Sequence, residues 1–160
     1  MIKISFIANA QNIDRFKRFG PAIVSALFSK LNLLAQQTAS VVIRRLSGEV
    51  LQPRSGVLRG SVVTIPAKYE NGKITAAVEA GAGPSNPYAW AFEKGGKGSF
   101  TIAARNKKSL MWEAGGSKHF AMSVLHPKIR QLAFMQPSED EMRPTIIAEL
   151  TNAINEATKE

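Results

Sequence analysis

The sequence predicts an α+β domain: a twisted antiparallel sheet of about four to five strands, with a long helix in the N-terminal half and a C-terminal helix packed on one face. Three observations carry that expectation. A short alternating segment opens the chain, a long 3.6-period apolar stripe follows it, and a run of Val-, Ile- and Thr-rich segments separates the stripe from a second helical pattern.

Ile2, Ile4 and Phe6 alternate with Lys3 and Ser5, which places three apolar side chains on one face of a strand. The same alternation is unlike a signal-peptide core, so a leaderless product is expected. Residues 13–19 fit an additional turn ahead of Gly20 and Pro21. From about Pro21 to Leu46, Val24, Leu27, Phe28, Leu31, Leu34, Val42 and Leu46 recur at threes and fours. Proline suits the first helical turn, where its missing N–H has no partner in any case. Such a helix is about 39 Å long and serves as the spine of the domain.

Residues 48–56 break regular structure, with Pro53 and Gly56 as punctuation. Residues 61–69 and 72–80 read as a hairpin about Asn71-Gly72, a dipeptide that tolerates the positive φ of a type I′ turn. Pro66 inside the first strand predicts an edge or a bulge. The segment Tyr88, Ala89, Trp90, Ala91, Phe92, Glu93 reads as a rigid knuckle anchored by its aromatic residues. It leads into Lys94, Gly95, Gly96, Lys97, Gly98 and Ser99, which hold no apolar side chain and read as a mobile basic loop near 94–99. Residues 100–104 and 109–113 are expected to pair as a hairpin around residues 105–108, with a further strand over about 118–125. The last segment opens on Pro137 and Ser138. Ser138 to Glu141 has the form of a capping box, and Met142, Ile146, Leu150, Ala153 and Ala157 form one apolar face. Pro144 predicts a break or a kink.

Composition narrows the function classes. The 160 residues suit one domain, 44% are apolar and 21% charged, and no run approaches a membrane span. There is no cysteine, so thiolate metal sites and disulfides are excluded. The net charge of +9 is uneven. Residues 137–160 carry two basic and six acidic groups, net −4, which leaves 19 against 6, net +13, in residues 1–136. A field of that kind attracts nucleic acid or an acidic protein surface. His119 and His126 are the only histidines, and Glu70, Glu79, Glu93 and Glu113 are isolated carboxylates, so no metal set or acid–base pair emerges. The Gly/Lys run at 94–99 lacks the spacing of a phosphate loop and precedes a strand rather than a helix. No catalytic, cofactor-binding or metal-binding residue stands out, and a non-enzymatic protein without cofactors is expected.

Three features in order carry a family resemblance. Arg54-Ser55-Gly56-Val57-Leu58-Arg59-Gly60-Ser61 is similar to a Thr/Ser-Gly-x-Leu-Arg-x-Ser pattern that opens a strand. Tyr88-Ala89, then Glu93 and Gly95, follow at a suitable distance. The run from His126-Pro127 to a proline-started C-terminal helix completes the set, with Leu132-Ala133-Phe134-Met135 where the family commonly has Pro-Phe-Leu. Together they resemble the neck proteins of tailed bacteriophages, of the tail-component, head–tail joining or tail-completion type. The resemblance implies a structural virion protein, made in the host bacterial cytoplasm. It would form a hexameric or dodecameric ring between the capsid connector and the tail tube, next to the neighbouring neck and tail-tube proteins and open to non-specific contact with DNA passing through the lumen. A tail terminator or minor tail protein of the same architecture is an alternative within that reading. A basic nucleic-acid-binding protein and a phosphate- or sugar-processing enzyme are alternatives outside it. Lys94, Gly95, Gly96, Lys97 and Gly98 are then the interface candidates. Gly56, Leu58, Arg59, Ser61, Tyr88, Ala89 and Glu93 are the motif and core candidates, with Arg59 either paired to Glu93 or solvated.

Overall fold

A computed structural model describes residues 2–8, 21–50, 56–70, 73–81, 89–96, 98–105 and 108–158. The expected turn at 13–19, the Asn71-Gly72 turn, Tyr88 and Lys97 lie outside those residues.

The fold is α+β. Strand β1 (Ile2–Ala8) pairs antiparallel with β3 (Lys73–Ala80), which pairs on its other edge with β2 (Val63–Glu70). Ile4 and Phe6 are buried while Lys3 and Ser5 face out, as alternation predicts. Lys3 stands opposite Glu79 in the register and reaches its carboxylate at 3.2 Å, which partners an otherwise buried charge. The register of β2 slips between Ile65 and Lys68, at Pro66. The displaced Ala67 amide donates instead to Asn32 Oδ1 at 2.7 Å, so the proline's disruption of the ladder leaves no orphan there.

Helix α1 (Pro21–Arg44) crosses β2 and β3, burying Ile23, Leu27, Leu31, Leu34 and Val42. It ends in a wider turn over Arg45–Glu49, where Val50 N–H donates to Arg45 O and Gly48 takes φ +120°. A single helical turn, α2 (Val57–Gly60), precedes β2. Helix α4 (Met135–Ala157) packs beside α1 and against β1 through Met142, Ala153 and the half-buried Ile146, Leu150 and Ile154. It runs through Pro144 without a break, because one lost backbone hydrogen bond is outweighed by packing on both sides of it.

Three expectations about strands and helix ends are corrected. Strand β4 (Phe100–Ala103) does not pair with its sequence neighbour; it pairs with β7 (Ser123–His126). Strand β5 (Leu110–Ala114) pairs with β6 (Ser117–Ala121) across Gly115-Gly116, whose φ values of +60° and +77° meet the demand of a type I′ turn. The supposed strand over 118–125 is thus two, divided at Met122, and the strands fall into a three-stranded sheet and a two-part ribbon. The helix start also moves. Met135 opens α4, so Ser138 lies inside it, buried, with Oγ donating back to Phe134 O at 2.6 Å rather than capping.

Candidate assembly surface

The feature that organises this surface is a clasp. Helix α3 (Ala89–Lys94) puts Ala89 and Glu93 on one face by its i, i+4 spacing, and both are buried, Glu93 to 3% exposure. The Glu93 carboxylate accepts three backbone amides at the start of α4: Phe134 at 2.8 Å and Met135 at 2.9 Å on Oε2, and Gln136 at 2.9 Å on Oε1. The first four N–H groups of a helix have no partner within it. Here three are taken by Glu93 and the fourth position is Pro137, which has none to offer. A buried negative charge is stabilised by those bonds and by the positive end of the helix dipole.

The clasp continues on both sides. Gln131 Nε2 donates to Glu93 O at 2.9 Å, Leu132 N–H to Phe92 O at 2.8 Å, and Gly96 N–H to Ile129 O at 3.0 Å. Gly95 and Gly96 lie so close to this segment that an added Cβ would sit 3.3 Å from Gln131 Cβ and 3.1 Å from Ile129 Cβ, respectively. Glycine at these two positions therefore allows close approach of two backbones, where mobility was expected. Lys94 is exposed at the end of α3, and Gly98 faces open space.

The motif at 56–61 joins the same assembly. Ser61 Oγ donates to Leu58 O at 2.7 Å and accepts Gly81 N–H at 2.9 Å. Gly81, at φ +74°, presses on Ala89, and Leu58 packs against the core. Leu58, Ser61, Ala89 and Glu93, singled out from separate stretches, are thus linked through Gly81 and α3 to the start of α4. Gly56 holds φ +70° at the N-cap of α2, and Arg59 is exposed. Arg59 does not pair with Glu93, whose oxygens are turned to the α4 amides. Trp90 does not anchor the knuckle: helical geometry turns it away from the Ala89/Glu93 face, leaving it 50% exposed, while Phe92 packs on the core.

From this base rises a two-stranded arm. The β4–β7 ladder passes into the β5–β6 ladder through the bond from Ala104 N–H to Met122 O at 3.0 Å. Every residue from 111 to 120 is exposed. Met111 and Phe120 stand opposite each other at 59% and 63% exposure, with Glu113 and Lys118 on the same face two residues along. Trp112 lies on the other face, stacked on His119 at 5.5 Å, and Phe100 stacks on His126 at 4.8 Å. Met122 and Leu125 add further exposed apolar surface. Exposed apolar side chains gathered on one ribbon in this way make it a candidate contact site. Alternation in residues 110–125 hints at it, but exposure on both faces depends on the pairing.

Opposite in charge is α4, where Glu139, Asp140, Glu141, Glu149 and Glu156 outweigh Arg143. Glu141 takes Arg44 at 2.7 Å and Arg45 at 2.7 Å. Hydrogen bonds from Arg44 and Arg45 hold its carboxyl below the usual carboxylate range, and the Arg44 guanidinium is raised in turn. The Lys30 ammonium is raised by its hydrogen bond to Glu149. Among the described residues no three His, Asp or Glu side chains are placed to hold a metal, and no helix is long and apolar enough to cross a membrane. The chain matches no family model, no curated protein and no solved structure.

Proposed function

We propose that this chain is a structural subunit of the neck of a tailed bacteriophage, assembling into a ring at the head–tail junction. The observation that carries the reading is the arm, apolar on both faces and exposed in the isolated chain. A ribbon with Met111 and Phe120 on one face and Trp112 on the other leaves substantial apolar area in water until it is sandwiched between other protein surfaces. The motif order supports the family, and the clasp supplies the firm base on which such an arm can work. A nucleic-acid reading would draw on Arg105, Lys108 and Lys118 and the ring stacks of the arm, but it leaves the exposed Met111, Phe120, Met122 and Leu125 without cover.

Gold-labelled antibody against the chain, applied to tailed virions that contain it, tests the proposal. Label at the head–tail junction in several copies is expected. Label on the capsid shell, along the tail or at its far end, or a single copy per particle, overturns it.

A further inference from the structure

We propose that the arm of one copy seats on the α1–α4 side of a second copy, with Phe120 and Met111 entering a hollow between those two helices. The inference rests on the ring reading and names the two surfaces that would build the ring.

The hollow measures about 430 Å³ and its lining includes four small residues, Ala22 and Ala26 on α1 and Ala153 and Ala157 on α4. Leu33 stands in its wall, 46% exposed, so the site is apolar and open rather than filled from within by the described residues. Four alanines in the lining leave room for a large side chain, and burying an aromatic ring there removes apolar area of both partners from water.

Charge selects the occupant. Lys30 at the rim is engaged by Glu149 at 2.6 Å and also feels the Glu156 charge. The rim thus carries two carboxylates against one ammonium, and the Glu156 carboxylate accepts no hydrogen bond among the described residues. On the arm, Lys118 shares the face of Phe120; Glu113 stands opposite it in the ladder but makes no ion-pair contact with it. Strand geometry puts Lys118 about 7 Å from Phe120 along β6, so a ring seated among the alanines brings the ammonium towards the Glu156 rim. Arm against arm would instead bring together Arg105, Lys108 and Lys118 of both copies, with Glu113 the lone acid of each.

Reach is sufficient. The paired rows from Phe100–His126 to Ala114–Ser117 span about 30 Å at 3.3 Å per residue, against a radius of gyration of about 15 Å for a domain of this size. Because arm and hollow are different surfaces, the contact is head to tail and can repeat around a closed ring.

The natural absence of cysteine makes a clean test. Phe120→Cys in one preparation and Leu33→Cys in another are mixed and oxidised, with native mass spectrometry of the unmodified chain run alongside. A disulfide-linked heterodimer of the two variants is expected. Lys118→Glu or Glu156→Lys alone should weaken self-association about tenfold, and the two together should restore it. These positions are exposed, so an unchanged urea midpoint confirms that each variant folds. Phe120→Cys linking only to itself means arm-to-arm contact and overturns the inference. Rings without the heterodimer overturn it too, as does a chain that stays monomeric at every concentration. Salt-dependent DNA binding lost in Lys118→Glu, with no cross-link, makes the arm a nucleic-acid element and also overturns it. Junction labelling of virions with no cross-link defeats this contact alone. Cross-linking with label elsewhere defeats the neck function and leaves the contact standing.

Discussion

The Glu93 carboxylate and the Phe134 amide lie 2.8 Å apart, although 41 positions separate them in the chain. That bond and its two neighbours fix where α4 begins, and they tie the root of the arm to the helical layer. Removing the carboxylate leaves the amides of Phe134 and Met135 buried without acceptors. Glu93→Ala should cost about 3 kcal/mol, read from the urea midpoint, since each hydrogen bond to a charged group contributes about 1.5–3 kcal/mol. A loss under about 0.5 kcal/mol would show that water replaces the carboxylate.

Arg59 is not the partner of Glu93, so their effects should be independent. Arg59→Ala and Glu93→Ala together should cost the sum of the single changes to within about 0.5 kcal/mol. A larger deviation in a double-mutant cycle would restore the pairing that the sequence suggested.

Gly81 carries both a positive φ and a close neighbour. A Cβ there would lie 2.3 Å from Ala89 Cβ, with φ at +74°. Gly81→Ala is expected to cost about 3 kcal/mol by thermal or urea denaturation, combining overpacking with backbone strain. Adding Ala89→Gly should recover about 1–2 kcal/mol, the steric share, and leave the strain. Strict additivity would show that the two positions do not press on each other.

The Gly96 amide should exchange slowly in the free chain, because it donates to Ile129 O. The Gly98 position faces open space, so its amide is expected to exchange faster. Hydrogen exchange by NMR settles it; equal, rapid exchange at both would return the whole 94–99 stretch to a mobile loop.

Glu141 gives a pH signature. Its folded carboxyl titrates below its unfolded value, so the stability it contributes is present above the unfolded value, about 4.3, and is lost as pH falls through the folded one. Glu141→Gln should flatten the acid limb of urea midpoints measured between about pH 6 and pH 3. The difference should shrink in high salt, since the group is exposed. An unchanged acid limb would show that the Arg44 and Arg45 contacts contribute nothing in solution.

Local sequence pattern alone set the α+β class, the buried face of α1, the alternation of β1 and the edge or bulge at Pro66, because each depends on residues within a few positions of one another. The same local rules misplaced the partner of β4 and the start of α4. Ser138 to Glu141 satisfies a capping pattern, yet the helix begins three residues earlier because Glu93 brings a charged acceptor to it from a distant turn. Gly115-Gly116 outcompetes residues 105–108 as the turn of the arm because two successive positive φ angles favour glycine. Gly95 and Gly96 read as freedom in the sequence and serve as close approach in the fold, since only tertiary contact brings Ile129 and Gln131 against them. The exposed arm is likewise a tertiary fact: sequence lists its apolar residues, but only strand pairing shows that both faces lack cover.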